Sequence, residues 1–234
     1  MRGLRLVLAG AALGLASVAL AQGVDAPLEK YRDAAALHEL GGIHGRAFQE
    51  RRRPSAPDLP LTGVAVSLLP RSENWLIRLN AIKRGARDSM DTYRAAAPAV
   101  RRAREAYEKA LLEAGAGDLP MGATVDGEGR FALEGVPAGP WVLLGVRSTY
   151  VSKTPEERPI PPGTPPRQPA SPLPFLVPDK LAGFFVVTYW LREVAVAGGA
   201  VEPIELTDRN VWFTGVAENL EQPRLPDQPY QPRR

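Results

Sequence analysis

Asp126-Gly127-Glu128-Gly129-Arg130-Phe131-Ala132-Leu133-Glu134-Gly135-Val136-Pro137-Ala138-Gly139 is the stretch from which the architecture can be read. An Asp-Gly pair between apolar-alternating runs is a strong hairpin signal, because both glycines can take positive φ without steric cost. Phe131 and Leu133 then alternate with Ala132 and Glu134, the two-residue period of a half-buried strand. A second turn, Gly135 to Gly139, leads into another apolar run from Trp141 to Val146, whose Trp141 and Leu143 are expected to face the core with Phe131 and Leu133.

The same pattern extends outward in both directions. Upstream, Ala123 to Val125, Leu61 to Leu69 and Ile43 to Gln49 read as strands. Downstream, Phe184 to Val196 begins apolar on both faces, as a central strand must be. Gly198-Gly199 turns the chain into Val201 to Leu206, and Val211 to Val216 closes the set. The 22 glycines and 24 prolines among 234 residues fit a turn-rich β protein. The prediction is a mainly β chain, one antiparallel sandwich over residues 43–216.

Two helical regions interrupt this reading. Pro27 suits a first helical turn, so a short helix is expected from Asp25 to Leu40, ended by Gly41-Gly42, within an N-terminal unit 22–42. From Ser72, apolar residues follow helical spacing through Trp75, Leu79, Ile82, Ala86, Met90, Tyr93 and Ala97, then Val100, Ala103, Tyr107, Leu111 and Ala114. One rod of that length would run about 65 Å, so residues 72–116 are read as an inserted helical hairpin. The reversal is placed near Ala97-Pro98, with Gly85 as the other candidate.

The ends carry their own signals. Arg2 and Arg5 precede an apolar run from Leu6 to Leu20, closed by Ala19-Leu20-Ala21, which reads as a cleaved secretory leader over residues 1–21. That run of about 15 residues is shorter than the ~20 a spanning helix needs, so no membrane insertion is expected after cleavage. With no cysteine, lipidation after the leader and disulfide bonds are both excluded. A periplasmic or secreted location follows as an expectation. Residues 155–178 hold ten prolines and read as an extended arm. The tail 217–234 places prolines at 223, 226, 229 and 232, the period of a polyproline helix.

Ile43-His44-Gly45-Arg46, Pro60-Leu61-Thr62-Gly63-Val64-Ala65-Val66-Ser67-Leu68 and the stretch from Asp126 to Gly139 together resemble the carboxypeptidase regulatory-like domain family. That family is similar to transthyretin-like and carbohydrate-binding-like folds. The resemblance implies a seven- or eight-stranded sandwich with Greek-key connections, acting as an accessory module and not as a catalyst. Both the helical insertion and the proline arm depart from the family pattern.

Composition and motifs narrow function by exclusion. Without Arg2 and Arg5, 27 of the 29 basic residues face 26 acidic ones, a net of +1 and too little for a nucleic-acid binder. The two histidines, His38 and His44, lack companions for a metal set or a catalytic triad and are read as structural, and no Gly-x-Ser-x-Gly elbow occurs. No cofactor, metal or enzymatic activity is expected. Two candidate surfaces remain. Trp190, Trp212 and Tyr189 could form a platform for sugar rings, and the basic residues Arg84, Arg87, Arg94, Arg101, Arg102 and Arg104 could dock an acidic partner. The favoured expectation is a scaffold or protein-interaction module of the cell envelope. The alternative is a carbohydrate-binding module with a polysaccharide partner.

Overall fold

Strands that alternate apolar and polar residues bury one face each, and here they do so by packing two sheets together. The computed structural model describes residues 24–51, 53, 57–152 and 181–220. The expected leader 1–21, the proline arm 155–178 and tail residues 221–234 lie outside the described residues. The described chain runs α1 (Leu28–Ala36), β1 (Leu40–Gln49), β2 (Leu59–Pro60), β3 (Ala65–Pro70), α2 (Glu73–Gly85), α3 (Met90–Glu113), β4 (Met121–Thr124), β5 (Arg130–Pro137), β6 (Gly139–Ser152), β7 (Leu181–Val196), β8 (Val201–Thr207) and β9 (Phe213–Leu220).

In the first sheet β1 pairs antiparallel with β2 and β5 and parallel with β8. The second is antiparallel throughout, in the order β4-β3-β6-β7-β9. Buried Ile43, Phe131, Leu133 and Leu206 from the first sheet and Val66, Leu68, Trp141, Leu143 and Trp190 from the second belong to one core. The Trp190 indole N–H donates to the Thr207 carbonyl at 2.7 Å, tying β7 to β8 across it.

The helical hairpin forms a third layer on the outer face of the second sheet. The Tyr189 hydroxyl on β7 donates to the Ala97 carbonyl at 2.9 Å, and Tyr107 on α3 donates to the Pro70 carbonyl at 3.0 Å. Arg94 on α3 meets Glu218 on β9 at 3.3 Å. Inside the hairpin, the Trp75 and Tyr107 rings stack at 4.9 Å between centroids. The insertion is therefore a cover over the sandwich.

Several expectations are corrected. The hairpin reverses at Ala86–Ser89, beside Gly85, while Pro98 lies inside α3. The reason is local: Ser89 and Thr92 form a reciprocal capping box that starts a new helix nine residues before the proline. α1 ends at Ala36, and Gly41-Gly42 belongs to β1. A Cβ on Gly41 would lie 2.5 Å from the Ala197 carbonyl oxygen and 2.7 Å from that of Ala200, so this glycine lets the β7–β8 turn close on β1. Asp25 lies outside α1 and braces the start of α2, whose N-cap is Ser72: its carboxylate accepts from the Ser72 hydroxyl and, at 2.9 Å, from the Asn74 amide.

The Asp126–Gly129 turn also differs from a simple hairpin. It closes through Asp126 N–H to Arg130 O at 2.9 Å, yet β4 before it pairs in the second sheet and β5 after it in the first. The described strands number nine, not seven or eight, one pairing is parallel, and β9 extends past Val216 to Leu220.

Two consequences can be measured. A methyl group on Gly45 would run into the Phe131 ring between the sheets, so Gly45→Ala should cost about 1–3 kcal/mol in chemical denaturation. Burial would raise the Asp25 carboxyl, but hydrogen bonds from Ser72 and Asn74 outweigh it and hold it below the usual carboxylate range. A lowered value means its contribution is complete above the unfolded-state value and is lost as pH falls through the folded one. Stability should thus fall below about pH 4, and Asp25→Asn should flatten that fall.

Candidate functional site

Tyr189 and Trp190 are neighbours on a strand, so their side chains point to opposite faces of the second sheet. Trp190 enters the sandwich core at 1% exposure, and Tyr189 enters the layer beneath α3 at 3%. A stacking platform needs a ring face open to solvent, so these two rings are core residues and the platform expected from Trp190, Trp212 and Tyr189 does not assemble. Trp212 alone remains half-buried, just before β9, with its backbone N–H on the Tyr189 carbonyl at 2.9 Å.

The basic residues are divided in a similar way. Arg94 reaches Asp91 as well as Glu218, Arg101 lies 3.7 Å from Glu105, and Arg104 lies 3.5 Å from Glu108 and 3.4 Å from the Ser67 hydroxyl. These pairs answer the charge of α3 within the molecule. Among the described residues, Arg84, Arg87 and Arg102 make no ion pair. Arg84 and Arg87 sit at the hairpin tip, where α2 ends.

That tip meets the segment before β9 in a groove of about 300 Å³. Lys83, Ala86, Arg87 and Tyr93 line one side, and Val211, Trp212, Phe213 and Thr214 line the other. The Lys83 ammonium lies 5.2 Å from the Trp212 ring centroid, a cation–π contact. Trp212 meets Phe213 edge to face at 6.0 Å. The structure thus joins one residue of the expected platform to one of the expected docking face. It adds Lys83, Tyr93, Phe213 and Thr214, which sequence reading did not select. The apolar stripe placed Tyr93 and neighbours of Lys83 on the hairpin's inward side, and Phe213 and Thr214 fall in the expected strand 211–216, but nothing in the sequence pairs the two segments.

A larger concavity of about 520 Å³ covers the outer face of the first sheet, lined by His44, Arg46, Asp126, Arg130, Pro203 and Glu205 among others. Three of its polar side chains, His44, Asp126 and Arg130, are engaged in ion pairs. His44 meets Glu134 at 2.5 Å, Arg130 meets Glu128 at 2.6 Å and Asp126 at 3.6 Å, and Arg46 covers the Phe48 ring. Backbone N–H groups of Arg130 and Glu128 hold the Asp126 carboxyl below its ordinary range, which makes it a turn residue. Phe131, the one aromatic in this lining, is buried. His38, at φ 57° beyond α1, lies away from this face in the turn to β1.

No family model and no curated protein matches the chain. Among solved structures it is similar to a candidate carbohydrate binding protein from Pseudomonas aeruginosa, at 15% identity and a TM-score of 0.37, over 72% of this chain and 88% of that one. It is also similar to the pilus backbone protein of Streptococcus pneumoniae, at 17% identity and a TM-score of 0.20, over 44% of this chain and 30% of that one. At TM-scores below 0.5, neither likeness assigns a ligand here. The fold itself is a two-sheet β-sandwich carrying a helical insertion, and among the described residues no helix is long and apolar enough to cross a membrane.

The four tryptophans give this groove a direct readout. Trp75, Trp141 and Trp190 are 3%, 0% and 1% exposed, which leaves Trp212 as the indole that solvent reaches. Iodide, drawn to Lys83 and Arg87, should quench a distinct fraction of the fluorescence, and Trp212→Phe should remove that fraction. Quenching that persists in the variant would contradict this burial pattern.

Proposed function

We propose that this chain is a non-catalytic, exported β-sandwich module, akin to the carboxypeptidase regulatory-like domains, that binds saccharide in the groove beside Trp212. The observation that carries the reading is the half-buried Trp212 ring, set among Tyr93, Phe213 and Thr214 at the edge of a concave surface. An aromatic face packs against the C–H face of a pyranose ring, while nearby hydroxyl and cationic groups answer its oxygens. The groove lies between the hairpin tip and the chain entering β9, so the insertion has a role as one wall of the site.

A protein partner is favoured by a different observation. Near the last described residues of β6, Tyr150 and Val151 are 46% and 38% exposed, with Tyr150 against Phe185 at 5.2 Å. Exposed apolar side chains of this kind suit a scaffold contact in the cell envelope. The hairpin helices suit it less, because their apolar stripe is buried on the second sheet.

The two readings separate in one experiment on the full chain. A glycan array should retain the wild type, and Trp212→Ala, assayed at a temperature where both proteins are fully folded, should weaken retention at least about tenfold. Retention unaffected by Trp212→Ala, or no glycan retained at all, would defeat the saccharide reading. Loss of in-cell protein crosslinks in Tyr150→Ser would then support the scaffold.

A further inference from the structure

We infer that the saccharide held beside Trp212 is an acidic one, a sugar ring bearing a carboxylate, and this inference rests on the saccharide reading above. Lys83 and Arg87 line the groove and Arg84 adjoins them, while the lining contains no carboxylate. Among the described residues none of these three cations makes an ion pair, in contrast to Arg94, Arg101 and Arg104 on α3, each of which meets an acidic side chain. The acidic residue of the hairpin turn, Asp88, lies outside the lining.

A plainer account would have these cations complement the carbonyl end of α2. A helix C-terminus carries about half a negative charge, and its effect fades within the last turn. Lys83 and Arg84 lie in that last turn, which answers part of their charge. Arg87 lies beyond the helix, so the local excess of positive charge outlasts the dipole.

The geometry also suits this ligand class. Lys83 is held over the Trp212 ring by a cation–π contact, the same ring that would face the sugar. A ring stacked on Trp212 must displace the ammonium sideways, which costs that contact. A neutral sugar offers the displaced ammonium only hydroxyl oxygens. A uronate offers a carboxylate at the rim of its ring, within reach of both Lys83 and Arg87, so one displaced contact is replaced by a charge-assisted one. The hydroxyls of Tyr93 and Thr214, which make no hydrogen bond among the described residues, remain to meet the sugar hydroxyls.

The test compares trigalacturonate with its methyl ester, which keeps the rings and removes the charge, by calorimetry on the full-length chain. The acid should bind tighter, and its affinity should fall as salt rises from about 0.05 to about 0.5 M. Lys83→Ala and Arg87→Ala should each weaken it about two- to fivefold; neither should weaken the ester, and Lys83→Ala, which removes the contact a stacked ring must break, should tighten it. Trp212→Ala should weaken both. Equal affinity for acid and ester would overturn the acidic preference while leaving the saccharide reading in place. A glutamate oligomer bound as tightly as trigalacturonate, regardless of Trp212, would overturn both, because charge alone would then explain the groove.

Discussion

The three-layer arrangement depends on β7 being closed on both faces at Tyr189 and Trp190. A strand inside a two-sheet sandwich normally presents one face to the core and the other to water. Here Trp190 closes one face against the first sheet, and Tyr189 closes the other against α3. Each ring also settles its polar atom on a backbone carbonyl, which a buried indole or phenol requires. A half-wet sheet thereby becomes the middle layer of three.

That constraint fixes where the helices must go. The stripe of Ala97, Val100, Ala103, Tyr107 and Leu111 on α3 is buried, and a Cβ on Gly215 would come within 3.0 Å of the Ala97 Cβ, so helix and strand backbones approach closely. Ion pairs at the margins, such as Arg94 with Glu218, add little in water and follow from this seating. With the hairpin body anchored, its turn lands beside residues 211–214 and creates the groove. Fold and proposed site are therefore one problem, since the groove has no second wall unless the third layer is in place.

Much of the architecture was legible in sequence because periodicity reports burial directly. The strand runs around Phe131 and Phe184 and the stripe from Trp75 to Ala114 all give the correct element type. The doubly apolar start of β7 even announces two buried faces, without saying what covers the second. Pro98 misdirects the reversal because a proline in a helix costs about 3 kcal/mol, and tertiary burial around Ala97 and Val100 outweighs it. The Ser89–Thr92 capping box carried the better signal. Strand partners were less legible: Asp126 to Arg130 forms the expected turn, but nothing local says that its two strands join different sheets. The site was least legible, because Lys83 and Trp212 are far apart in the chain and meet only through the seating of the hairpin.

Native-state hydrogen exchange tests the three-layer account most directly. If the helices are an integral layer, amides of α3 from Val100 to Leu111 and amides of β7 from Val187 to Val194 should exchange through one shared opening, with matching protection and a matching response to denaturant. An α3 that exchanges through its own low-energy opening, while β7 stays fully protected, would contradict it. The hairpin would then be an appendage, and β7 would owe its stability to the sandwich alone.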